Sequence, residues 1–165
     1  MRSIVVTSDR LTPAVSAAQE SSAAQESSVA SEISAATSLL AEAGIDSARS
    51  DAEWLLAHVL DVGRGSLAFA DGPDAGHRKR YRELVAQRAR RIPLQHIIGR
   101  AAFGPIDLAV GPGVFVPRPE TETVVEAALA AIDSRGSRQR PLRIADLGTG
   151  SGALIVALLP ELPNA

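Results

Sequence analysis

Cysteine is absent from this 165-residue chain, which excludes disulfides and thiolate metal sites. Aromatic residues make up only 3%, so a core must be built mainly from Leu, Ile, Val and Ala. Lysine is nearly absent too. Lys79 stands alone among 17 basic residues, which with the many alanines reads as genomic bias, not function. No run approaches the roughly 20 apolar residues that a bilayer span needs. The N-terminus "MRSIVVTSDRLTPAVSAAQE" lacks the long apolar core of a signal peptide, so a cytosolic location is the default expectation. A net charge of −2 argues against general affinity for nucleic acid or anionic membrane. The histidines His58, His77 and His96 lie far apart, so no metal cluster is expected.

What is present is ordinary in amount, with 45% apolar residues, enough for one domain or two small ones. Residues 16–32, "SAAQESSAAQESSVASE", carry a tandem SAAQES repeat without an apolar stripe. The repeat reads as a solvated helix or a disordered lead-in, and residues 1–30 as a low-complexity, disordered extension. From Ser31 a helical unit is predicted, to residue 92. Ile33, Ala36, Leu40 and Ala43 share one face, and Gly44 supplies the stop. Asp46 or Ser47 caps a second helix with Ala52, Leu55, Leu56, Val59 and Leu60 inward and Trp54 beside them. Residues 61–76 form a loop with a short turn at Leu67–Ala70. Asp74 caps a third helix running to Arg91, with Tyr81, Leu84, Val85 and Ala89 inward, then Ile92. That helix carries Arg78, Lys79, Arg80, Arg82, Arg88, Arg90 and Arg91 against Glu83. Such a run is usually a solvated face; the sharper reading is a docking surface for an acidic protein or RNA.

After Pro93 the period changes. Leu94–Ile98, Ala101–Phe103, Ile106–Val110 and Val114–Val116 read as short strands. Gly104-Pro105 and Gly111-Pro112-Gly113 are the turns, so residues 93–116 predict a β-hairpin linker. "GVFVPRPETETVVEAAL" (113–129) then sets two prolines around Arg118. Pro117 and Pro119 fix φ and bias Val116 and Arg118 toward extended geometry. Glu120 and Glu122 suit the N-terminus of a helix running to Asp133, with Val124, Val125, Ala128, Leu129 and Ile132 as its buried stripe.

"LRIADLGTGSGALIVALLP" carries the clearest chemical signal. Leu142–Leu147 predicts a short apolar strand, Gly148–Gly152 a glycine-rich turn, and Ala153–Leu159 a helix start. Glycines at the end of a strand let backbone approach a ligand that a Cβ would repel. In an open α/β sheet this is where a nucleotide-like ligand sits. Spacing alone leaves the ligand open, because Gly148, Gly150 and Ala153 also satisfy G-x-G-x-x-G/A.

"PLQHIIG" (93–99), "GVFVPRPETE" (113–122) and "ADLGTGSGAL" (145–154), in this order and spacing, resemble the HemK/PrmC family of glutamine N(5)-methyltransferases that modify peptide chain release factors. The resemblance runs from about residue 33 to the end. It implies an α+β architecture: a helical substrate-recognition bundle (31–92), the hairpin linker, and from 117 the start of a Rossmann-like methyltransferase domain. It implies S-adenosyl-L-methionine as cofactor, held by Asp146, Gly148, Thr149, Gly150, Ser151 and Gly152. It implies a glutamine pocket lined by Phe115 and braced by Arg118, Pro119 and Glu122. It implies release factors as protein partners, no nucleic acid or membrane partner, and a monomer at full length. The family's Asn-Pro-Pro-Tyr motif does not occur in these residues. The expectation is therefore a front half that transfers no methyl group by itself, with residues 140–165 showing an uncovered apolar face. Two other readings stand beside it: a non-catalytic release-factor-binding module and a dinucleotide-binding oxidoreductase fragment.

Overall fold

A computed structural model describes residues 28–136 and 138–165. The repeat up to residue 27 lies outside the described residues. The elements are α1 (Val29–Glu42), α2 (Ala48–Leu60), a 3-10 turn (Arg64–Phe69), α3 (Ala75–Ala89), α4 (Leu94–Ile98), β1 (Arg100–Phe103), β2 (Ile106–Ala109), a second 3-10 turn (Pro119–Thr121), α5 (Glu122–Asp133), α6 (Ala153–Leu158) and a third 3-10 turn (Leu159–Glu161). The chain is thus α+β and helix-rich, with one two-stranded sheet among the described residues. No helix among the described residues is long and apolar enough to cross a membrane.

The bundle forms because three amphipathic helices bury one contiguous set of aliphatic side chains. Leu40, Ala52, Leu55 and Leu56 are fully enclosed, with Ile33, Tyr81, Leu84 and Val85 around them. α1 starts two residues earlier than Ser31, because the Ser28 hydroxyl accepts from the Ser31 N–H at 3.2 Å and so caps the helix. It ends in a Schellman arrangement. Gly44 takes φ +71°, its N–H donates to the Ala41 carbonyl, and the Ile45 N–H donates to the Leu40 carbonyl. Ile45 and Leu40 are both buried there, the apolar contact that such an ending favours. Asp74 caps α3 as expected, accepting the His77 N–H at 2.7 Å. Ser47 occupies the cap position of α2 without a side-chain bond.

The polar groups inside the bundle are paired. The Tyr81 hydroxyl donates to the Ala52 carbonyl at 3.0 Å. Burial, with Glu32 and Glu53 nearby, pushes that phenol well above its usual range, so it stays a donor. Asp51 meets Arg88 at 2.7 Å, and Arg88 also donates to the Ile92 carbonyl. Arg91 ends α3 at φ +65° and reaches back to the Ala43 and Gly44 carbonyls, closing the end of α1. The basic run of α3 is therefore largely engaged within the bundle. Arg78 donates to the Pro73 carbonyl, Arg80 pairs with Glu83, and Arg82 pairs with Glu32.

Three expectations after Pro93 need correction. Leu94–Ile98 is a helix, not a strand. Pro93 precedes its first turn and Gly99 closes it at φ +79°, with the Gly99 N–H on the Gln95 carbonyl. Proline before and glycine after is helix punctuation, and it outweighed the β-type composition. Val114–Val116 is not a strand: Val114 lies in a bend and the run pairs with neither strand of the sheet. Leu142–Leu147 is also not a strand. A strand is defined by its ladder, and no parallel partner lies beside it among the described residues; Leu142 N–H finds the Asn164 carbonyl at 3.2 Å.

The hairpin itself forms in the register Arg100↔Ala109, Ala101↔Leu108, Ala102↔Asp107 and Phe103↔Ile106. Gly104 at φ +52° makes the two-residue turn. The inward residues Ala101, Phe103 and Leu108 join Val110, Ala153 and Ala157 in a second core, separate from that of the bundle. The apolar stripe of α5 is only half covered. Val124 is 49% exposed, while Val125, Ala128, Leu129 and Ile132 are half-buried against α6 and the hairpin turn.

Candidate functional site

The glycine loop is built by local geometry. Gly148, Gly150 and Gly152 take φ +78°, +55° and +77°, a left-handed conformation that side chains resist. The Gly152 N–H donates to the Thr149 carbonyl at 2.8 Å, and the Gly152 carbonyl accepts the Val156 N–H at 3.0 Å. The Thr149 hydroxyl donates to Asp146 Oδ2 at 2.7 Å and ties the loop to the segment before it. A Cβ at Gly148 would meet nothing within 4 Å, and at Gly150 only the Gly148 carbonyl at 3.8 Å. These glycines are required by backbone conformation, and they leave open space against bare peptide groups. Ser151 is half-buried on the same turn.

The second motif follows the turn that the Val114 N–H closes on the Gly111 carbonyl. Val114 and Val116 pack on the second core, and Phe115 between them is 85% exposed. That core also holds Ala153 and Ala157 of α6, the helix that leaves the glycine loop. The two motifs thus share one hydrophobic support. The elbow after Phe115 turns toward the bundle. Val116, Pro117 and Pro119 line a cleft of about 330 Å³ with Trp54, Leu94 and Ile98. Arg118 is exposed in extended backbone, and its carbonyl accepts the Thr121 N–H at 2.9 Å.

Glu122 goes elsewhere. It opens α5, and its Oε2 lies 4.0 Å from where a Gly104 Cβ would be, beside Phe103 and Pro105. Asp146, Thr149 and the glycines are therefore one structure. Pro119 belongs to the bundle-side cleft, and Glu122 to the hairpin turn. Sequence reasoning passed over one residue. His96 Nε2 lies 2.9 Å from the Val114 carbonyl, one residue before Phe115. The flanking Pro93 and Gly99 signalled the helix that carries it; nothing local signalled its partner 18 residues away.

Comparison with known proteins points the same way. A family profile described as the PrmC N-terminal domain matches residues 33–99. A protein of Mycolicibacterium smegmatis named release factor glutamine methyltransferase is 53% identical over 126 residues, covering 76% of this chain and 43% of that protein. One of the same name from Mycobacterium tuberculosis is 54% identical, over 77% of this chain and 40% of its own length. The Streptomyces coelicolor protein of that name is 52% identical over 76% of this chain and 43% of its own. The chain thus spans less than half the length of these relatives. The profile takes in most of the bundle and α4, the relatives align over about three quarters of the chain, and the chain belongs to the HemK/PrmC family.

Proposed function

We propose that this chain supplies the substrate-recognition bundle and the cofactor loop of a cytosolic release-factor glutamine methyltransferase. The division is a bundle over 31–92, a linker over 93–116, and from 117 the first part of a Rossmann-like domain. One observation carries it: three left-handed glycines form the loop, two of them with no side chain near their Cβ positions, beside the core that presents the Phe115 ring outward. When bound, S-adenosylmethionine supplies an electrophilic methyl group on sulfonium. Gly148 and Gly150 fit it because no side chain lies within 4 Å of where their Cβ atoms would stand, while Gly152 faces Val156 at the helix start. Asp146 is held by Thr149 and orients the entry to the loop.

The acceptor is the side-chain amide nitrogen of a glutamine, whose lone pair is delocalised into its carbonyl. Rate acceleration then rests on orientation and on exclusion of water, not on a strong base. Phe115 gives a flat apolar wall for the glutamine side chain, and the Pro117–Pro119 elbow fixes the direction of that wall.

The test uses the full-length protein with a release factor and labelled cofactor. Mass spectrometry should find one methyl group on a glutamine amide. Gly150→Val, which forces a branched side chain into left-handed backbone, should weaken cofactor affinity at least tenfold with helical content retained. The 165-residue chain alone should transfer nothing. Binding of NAD in place of S-adenosylmethionine would overturn the assignment, and methylated glutamine made by the short chain would overturn its expected inactivity.

A further inference from the structure

We propose that His96 is a positioning residue: a strut from the helical bundle that sets the Phe115 segment. The inference rests on the functional reading for its kinetic consequence but not for its structural content. α4 is anchored to the bundle, since Leu94, Ile97 and Ile98 pack against the bundle core. His96 shares that short helix and is half-buried. Its Nε2 lies 2.9 Å from the Val114 carbonyl, which can only accept, so Nε2 carries the proton. The Val114 N–H meanwhile donates to the Gly111 carbonyl at 3.0 Å across the turn at Gly113, φ +88°. Val114 is thus held on both sides of its peptide, once by its own turn and once by the bundle.

The consequence follows from the connectivity of the backbone. Rotation of the peptide at Val114 swings the next side chain, and that side chain is Phe115, whose ring has little else to hold it at 85% exposure. A second tie runs parallel, from the Val110 N–H to the Gly99 carbonyl at 3.1 Å. Both ends of the segment between the hairpin and the elbow are therefore referred to α4. The ring at the substrate wall takes its orientation from the domain that recognises the substrate. Only one of these contacts is made by a side chain, so only His96 can be removed without altering the backbone.

Two variants separate the strut from general packing. His96→Phe keeps a ring and removes the donor. His96→Gln keeps an N–H donor at about the reach of Nε2. In the 165-residue chain, amide exchange over residues 111–118 should quicken about tenfold in His96→Phe and return to within twofold of the parent in His96→Gln. Exchange over α1 to α3 should be unchanged in both. In the full-length enzyme, His96→Phe should lower kcat/KM for the release factor about five- to tenfold, the loss expected for one such bond. His96→Gln should restore it, and cofactor affinity should stay constant throughout. In a Phe115→Ala background, His96→Phe should have no further effect. Unchanged exchange at 111–118, or an equal kinetic loss with and without Phe115, overturns the strut. Absence of glutamine methylation by the parent enzyme overturns the functional reading alone, because the exchange measurement still decides the strut.

Discussion

At the scale of single residues, backbone conformation sorts glycines that look alike in the sequence. Gly44 has φ +71°, and a Cβ there would lie 2.9 Å from Arg91 Nη2, the group that closes the end of α1. Gly65 has no positive φ, and a Cβ there meets nothing within 4 Å. Gly44→Ala should therefore cost about 1–2 kcal/mol through left-handed strain and displacement of Arg91. Gly65→Ala should be neutral or raise stability by up to about 1 kcal/mol, by restricting the unfolded chain. Urea midpoints of the two variants check this; equal midpoints would remove the argument. Gly44 was legible as a helix stop because an amphipathic pattern ended there. Its guard, Arg91, was not legible, being 47 residues away and itself in left-handed backbone. The Asp51–Arg88 pair was hidden for the same reason, since nothing in local pattern links residues 37 apart.

At the scale of elements, the capped amphipathic helices were readable and the short apolar runs were not. α3 shows why. Asp74 accepts the His77 N–H, and that bond, helped by the His77 and Arg78 charges, holds its carboxyl below the ordinary value of 3.8. A group with a lowered native pKa binds fewer protons folded than unfolded, so its stabilisation is present above about pH 4 and lost as the pH falls through its native value. Asp74→Ala should thus be less stable than the parent at pH 7, and the gap should narrow steadily as the pH falls below 4. Thermal melts across pH 2–7 measure it, and a gap independent of pH would mean that the ionised carboxyl caps the helix no better than the protonated one. α4 shows the opposite case. Five residues, Leu94–Ile98, suit a buried strand or a buried helix equally by composition, and only the flanking Pro93 and Gly99 decide. Leu142–Leu147 failed differently. Its residues suit a strand, but a ladder needs a neighbour that no local pattern can supply.

At the scale of the whole molecule, the two cores divide the described chain. The bundle core draws its members from residues up to Ile98, and the second core draws none from before Ala101. The second unit is also the less covered. Leu147 is 92% exposed, Val156 39% and Leu159 51%, so the segment before the glycine loop, α6 and the turn after it present apolar surface to solvent. Cutting after Gly99 would remove no member of the bundle core. It would break the Val110 N–H to Gly99 bond and the His96–Val114 bond, both at the edge of α4. The half-buried Asp51–Arg88 pair and the buried Tyr81–Ala52 bond would stay intact. Residues 28–99 alone should therefore unfold in one cooperative transition, with a midpoint within about 5 °C of the bundle transition in the 165-residue chain. The 165-residue chain should associate as its concentration rises, and the fragment should associate less because it loses Phe115, Leu147 and Leu159, although it keeps the exposed Phe69. Calorimetry and sedimentation measure these together. A fragment that melts without cooperativity would show that the hairpin is part of the bundle's fold, and that its ties to α4 carry stability as well as direction.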